Sequence, residues 1–180
     1  MKKAIDFRFD TATQKNLLLS EEVKKAKYTF LIFLRYYGCT SCQVDLLDLT
    51  AEYEKFRAKD AQILVVLQSK PEILSAGIDA HNIPFALISD PEQKLYPLYQ
   101  VEAADGYDGL KAGMTEEDGA KFEAKIARAN AAGLTHGEYE GNEYQKPAYF
   151  LIDQDMNLLK EHLAKNIADM PLAEDYLEML

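Results

Sequence analysis

Three short apolar runs, each followed by a helix-like segment, fill the stretch from residue 28 to about residue 98, and that order constrains the fold more than any other feature. Residues 28–35 (YTFLIFLR), 62–68 (QILVVLQ) and 85–89 (FALIS) are apolar without alternation, the pattern of strands buried on both faces. After the first, Leu46, Leu49, Tyr53 and Phe56 fall on one helical face. After the second, Pro71 sits where a first helical turn tolerates it, and a helix to about Ala80 is predicted. After the third, Asp90-Pro91 opens a short helix. Such alternation implies right-handed crossovers and a sheet that is largely parallel in its first half. Residues 4–19 read as short strand and turn. Residues 148–153 and 158–162, separated by the polar segment 154–157, predict a hairpin, and 171–180 a final helix. The expected class is α/β: a central mixed sheet flanked by helices.

At 180 residues and 48% apolar, the chain suits one domain over 1–180 with an insertion. Folding at this size buries roughly 70% of the unfolded surface, so a core needs no staples. The insertion spans about 102–145. It holds seven of the nine glycines and ten acids against four bases, much of the net charge of −10. Within it Thr115 and Asp118 mark a helix start, and Phe122, Ile126 and Ala129 follow one face to a stop at Gly133. That stripe reads first as packing on the body, and second as a lid or a homodimer contact. The acidic balance argues against nucleic acid, which needs a basic footprint, and against an anionic membrane surface. No apolar run approaches the ~20 residues that span a bilayer, and MKKAIDFRFD lacks an apolar signal core, so a cytoplasmic location is expected.

Only two cysteines are present, Cys39 and Cys42, in Gly38-Cys39-Thr40-Ser41-Cys42. Two sulfurs cannot make a disulfide framework. His81, His136 and His162 lack metal-ligand spacing, so neither a metal nor another cofactor is expected. The pair follows a buried strand and opens a helix, with Thr40 and Gln43 as a candidate capping box. Helix N-termini favour thiolate over thiol, and a second sulfur one turn away can resolve a mixed disulfide or a sulfenic acid. The expected site is therefore an exposed, ionisable Cys39–Cys42 pair. Arg35 at the strand end either adds positive potential or is a solvated edge residue. Pro147 opens the strand expected beside the cysteine strand, as either a cis peptide facing the thiols or an ordinary trans proline.

These segments resemble the thioredoxin fold, and more closely the peroxiredoxin-like superfamily of alkyl hydroperoxide reductases and thiol-specific antioxidants. FLIFLRYYGCTSCQVDLLDL is similar to the family's strand, cysteine loop and helix. NIPFALISDPEQKLYPLYQV is similar to its SDP segment, and KPAYFLIDQDMNLLKEH to its late hairpin. The insertion and tail resemble the branch that carries a Cys-x-x-Cys. The resemblance implies thiol redox chemistry with electrons from a dithiol reductant such as a thioredoxin-type protein. Aligned as a peroxiredoxin, Cys42 takes the peroxidatic position and Cys39 resolves. Arg35 then stands where the family has proline, Cys39 where it has threonine, and Lys146 is the nearest base to the expected arginine. Aligned as a thioredoxin, Cys39 attacks a disulfide substrate and Cys42 resolves. The missing peroxide-pocket residues favour disulfide exchange over hydroperoxide reduction. The rivals are a non-enzymatic binding module and metal handling by the two sulfurs.

Overall fold

The run at residues 28–35 lacks alternation because the strand it forms, β3 (Tyr28–Phe33), lies inside a sheet covered on both faces. Phe30 and Ile32 join one core cluster, while Leu31 and Phe33 join the other. The computed structural model describes residues 1–180. The remaining strands are β1 (Arg8–Thr11), β2 (Leu17–Leu18), β4 (Ala61–Leu67), β5 (Ala86–Ser89), β6 (Ala148–Asp153) and β7 (Leu158–Leu163). They form one sheet in the order β2-β1-β5-β4-β3-β6-β7. The crossovers make β3, β4 and β5 parallel, and the flanking pairs β1–β5, β1–β2, β3–β6 and β6–β7 are antiparallel.

One face is covered by α2 (Thr40–Ala58), α3 (Pro71–His81) and α7 (Ala173–Glu178). Its centre is Phe30, set edge-on to Phe56 at 5.9 Å and to Tyr176 at 5.2 Å. The other face is covered by α1 (Leu19–Glu22) and α4 (Leu95–Leu98), with Phe33 against Tyr96 and Phe150. Each such ring contributes about 1.5–3 kcal/mol through removal from water.

Element ends shift where side chains satisfy backbone groups. The helix expected at Asp90-Pro91 begins at Leu95, because the Asp90 carboxylate accepts from the Lys94 and Leu95 amides at 3.0 and 2.8 Å. Pro91 lies in the preceding turn. The final helix starts at Ala173, two residues beyond Pro171. No helix is long and apolar enough to cross a membrane.

Between α4 and β6 the chain makes α5 (Tyr107–Lys111) and α6 (Glu116–Ala131). Thr115 caps α6 by accepting from the Asp118 amide at 3.0 Å, and Asp118 accepts from the Thr115 amide. The helix lies across α2. Lys125 Nζ meets Asp45 at 2.6 Å, Arg128 pairs with Asp48, and Lys121 donates to the Met170 carbonyl at 2.7 Å. The apolar stripe divides: Ala129 is buried, whereas Phe122 and Ile126 are half-buried and line a cleft.

Candidate active site

The parallel strands end together, and the chain leaves β3 still bonded to its neighbour: Leu34 donates to the Val66 carbonyl, and the Arg35 carbonyl accepts from Gln68. A tight turn follows, closed by the Cys39 amide on the Tyr36 carbonyl at 3.1 Å. This turn delivers Cys39 to the start of α2.

Cys39 itself is the N-cap. Its Sγ accepts from the Cys42 amide at 3.4 Å, so the expected Thr40–Gln43 capping box does not form. Thr40 falls one residue inside the helix. The Gln43 side chain instead donates to the carbonyls of Gly38 and Thr135 at 3.2 and 3.0 Å. The cap is a sulfur because the turn brings the thiol, not the hydroxyl, over the free amides of the first helical turn.

The expectation of exposed thiols is not met. Cys39 is 1% exposed and Cys42 4%, and both are free. Their surroundings are polar on one side only. Ser41 Oγ lies 3.3 Å from Cys39 Sγ, and the half-buried Arg35 guanidinium presents its charge to both sulfurs. Burial alone pushes the Cys39 thiol up. The Cys42 thiol, the Arg35 charge, the Ser41 hydroxyl and the Cys42 amide outweigh it and bring Cys39 down to about 6. Cys42 goes the other way: burial, then the neighbouring Cys39, hold its thiol well above the ordinary range. The two sulfurs are therefore unequal: Cys39 is drawn towards the thiolate and Cys42 away from it.

Arg35 is held by its own contacts. Nη1 donates to the Glu143 carbonyl at 2.8 Å, Nη2 to Tyr36 Oη at 3.4 Å, and Nε is buried without a partner. Of the two sequence readings of Arg35, the geometry is that of the charged group beside the thiols.

Cys39 lines a cleft of about 530 Å³, a volume in the small-ligand range. Its outer wall comes from the insertion: Tyr107, Phe122, Ile126, His136, Tyr139 and Tyr144. A strap at residues 135–143 crosses the cysteine turn. Gly137 N–H bonds the Gly38 carbonyl at 2.8 Å, and Gln68 and Asn142 exchange hydrogen bonds. The crossing needs glycine on both chains. A Cβ on Gly38 would stand 2.5 Å from the Glu138 carbonyl oxygen, and one on Gly137 would stand 3.0 Å from Gly38 Cα. Gly38→Ala is therefore expected to lift the strap, at a cost of about 1–3 kcal/mol by overpacking. Thermal melts and the alkylation rate of Cys39 check this: the melting temperature falls and alkylation accelerates.

Lys146 and Pro147 are not brought to the thiols. They line a separate depression with Gln100, Glu102 and Lys165. No peptide bond in the chain is cis, so Pro147 is trans. It enters β6 beside β3, where Phe33 pairs with Ala148. The residues that share the cleft lining with Cys39, beyond Arg35 and Thr40, include Tyr36, Ser41, His136 and Tyr139. Ser41, lying between the two cysteines, was in plain sight. His136 and Tyr139 had only the density of aromatic and histidine residues in THGEYEGNEY as a signal.

No curated protein matches the chain by sequence. Solved structures do match by fold. Peroxidoxin BcpB of Mycobacterium tuberculosis superposes with a TM-score of 0.67 at 13% identity, covering 98% of this chain and 91% of that one. Peroxiredoxin Q of Xanthomonas campestris gives 0.66 at 13%, covering 96% and 88%. The reduced 2-Cys peroxiredoxin of Plasmodium vivax gives 0.68 at 15%, covering 99% and 91%. These identities establish a shared fold, the thioredoxin-like fold of peroxiredoxins. The sequence adds the family, because the AhpC/TSA family model matches residues 1–160. The chain belongs to the AhpC/TSA family, and thiol-based oxidoreductase chemistry is the general activity which that membership supports.

Proposed function

We propose that the protein reduces small hydroperoxides through Cys39, with Cys42 as the resolving thiol and a dithiol as electron donor. The observation that carries this reading is the asymmetry of the pair. Cys39 is the helix cap and lines the cleft beside Arg35, and its thiol is drawn down; Cys42 does not line the cleft, and its thiol is pushed up. The ionised sulfur is the nucleophile. The Arg35 guanidinium, which lines the cleft beside Cys39, is a charged donor for a peroxide oxygen.

Disulfide exchange with a folded protein, which the residue types alone favour, needs an accessible sulfur, and Cys39 is 1% exposed. A hydroperoxide is small enough for the cleft. The reading also reverses the roles that alignment with peroxiredoxins implied, because the electrostatics single out the first cysteine.

Cys39 thiolate attacks the terminal peroxide oxygen and becomes a sulfenic acid. The Cys42 thiol then attacks that sulfur; an S–S bond forms and water leaves. Oxidation removes the negative charge that Arg35 and Ser41 hold. Two electrons return from a dithiol, which attacks the Cys39 sulfur and displaces Cys42 as thiolate.

One equivalent of cumene hydroperoxide added to the reduced protein is expected to remove two hydrogens from the monomer mass within seconds. Peptide mapping should then find Cys39 joined to Cys42. Thiols that persist as long as those of free cysteine would overturn the proposal.

A further inference from the structure

Reduction of a hydroperoxide at a thiolate takes up one proton. The thiol proton has already been lost to solvent, and the alkoxide that departs must be protonated. A donor already fixed on the cleft wall would deliver that proton in the same step as O–O cleavage.

Beside Cys39 lies a hydrogen-bonded chain that no step above uses. Tyr36 is fully buried and lines the cleft. Its hydroxyl lies 3.0 Å from His136 Nε2, and Arg35 Nη2 donates to it at 3.4 Å. His136 comes from the strap, is solvent-exposed, and stacks on Tyr139 with ring centroids 4.2 Å apart. Its Nδ1 sits 2.8 Å from the Gly137 carbonyl oxygen. That carbonyl can only accept, so Nδ1 carries a proton in either charge state, and the state of Nε2 decides which way the Tyr36 proton points. With neutral His136, Tyr36 O–H donates to Nε2. With imidazolium, Nε2–H donates to Tyr36 Oη, and the phenol proton is free to turn into the cleft.

We infer that Tyr36 and His136 form a proton relay, from solvent to the cleft floor, that protonates the alkoxide leaving Cys39. The inference rests on the hydroperoxide reading above. The step balances. Cys39 sulfur forms a bond to the terminal peroxide oxygen and the O–O bond breaks, its electron pair departing on the alkoxide. Sulfur is oxidised by two electrons and the peroxide is reduced by two. Tyr36 gives its proton to the alkoxide and takes the Nε2 proton of His136, which is replenished from solvent. Burial pushes the Tyr36 phenol up, so its proton is retained until an alkoxide accepts it. The other titratable groups on this cleft are Arg35 and Cys39 from the cysteine turn, Tyr107 from α5, and Tyr139, Glu143 and Tyr144 from the strap side.

The test varies the leaving group. An alkyl hydroperoxide expels a strongly basic alkoxide, which needs the proton. A peroxy acid expels a carboxylate, which does not. Stopped-flow oxidation of Cys39 is measured with tert-butyl hydroperoxide and with peracetic acid, across pH, for wild type, Tyr36→Phe, His136→Gln and His136→Phe. Gln preserves an acceptor for Tyr36 but cannot gain and pass on a proton, and Phe preserves the stack on Tyr139. The relay requires tert-butyl hydroperoxide to react about 10²-fold more slowly in all three variants, the usual size of a general-acid contribution. Peracetic acid should react within about two-fold of wild type, at a rate ratio that stays near unity across pH. Equal slowing of both oxidants, no slowing of either, or full rescue by Gln each overturns the relay and leaves the hydroperoxide reading intact. A wild type inert to both oxidants overturns that reading, and the relay with it.

Discussion

Cys39→Ser is expected to abolish reaction with hydroperoxides, and Cys42→Ser is expected to leave the first step running. The two sulfurs are three residues apart and equally hidden, so sequence distance and burial do not separate them. Their charge states do. Serine at 39 retains a helix cap of similar shape but stays protonated beside Arg35, and loss of an activated nucleophile costs on the order of 10⁶ in rate. Serine at 42 removes the resolving thiol, and oxidation then stops at a Cys39 sulfenic acid that dimedone traps in about one equivalent. The Cys39→Ser protein should take up no dimedone under the same conditions. Capture on Cys42 in Cys39→Ser, at a rate near wild type, would reverse the assignment and restore the alignment-based roles.

The second large effect concerns Arg35. The wild-type oxidation rate should rise with pH through an inflection at about 6 and level off above it, because only the thiolate reacts. Arg35→Met keeps an unbranched stem to about the position of Nε and deletes the charged end, with its bond to the Glu143 carbonyl. An opposite charge at this range moves a pKa by about 1–3 units, so the inflection moves up by that much and the rate at pH 7 falls by roughly ten-fold or more. The plateau at high pH falls too if the guanidinium holds the peroxide, and the two effects separate in one pH–rate profile. The sign of the stability effect follows from the same shift. An unfolded thiol ionises near 9.0, above the folded value of about 6. The folded thiolate therefore contributes its full stabilisation above 9.0, and that contribution is lost as pH falls through about 6. Chemical denaturation at pH 5 and pH 8 measures it: Arg35→Met should flatten the difference that wild type displays. An unchanged inflection in Arg35→Met would mean that the guanidinium does not act on Cys39.

Much of the architecture was legible along the chain because it depends on local pattern. Short runs of Phe, Leu, Ile and Val without alternation, too brief for a helix, fit strands buried on both faces, and β3 and β4 have that form. Thr115, Asp118 and Gly133 delimited α6 to within two residues, since caps satisfy nearby backbone groups. The Cys-x-x-Cys turn was legible for the same reason. Its cap is Cys39, one residue before the Thr40 that the sequence predicts, because Thr and Cys both offer an acceptor and only the turn geometry chooses between them.

The surroundings of the thiols were a different matter. Pro147 and Lys146, next to the cysteine strand in the sheet, face another depression, whereas His136 and Glu143, about a hundred residues from Cys39, close over it. Local order along the chain was sufficient to specify an α/β sheet with a sulfur pair at a helix start, because strand, helix and cap preferences act over a few residues. It took the folded chain to give the two sulfurs unequal surroundings and to bring up the residues that cover them. Those depend on electrostatics and packing between segments that meet only when the insertion crosses the cysteine turn, and the two glycines there leave little trace in composition.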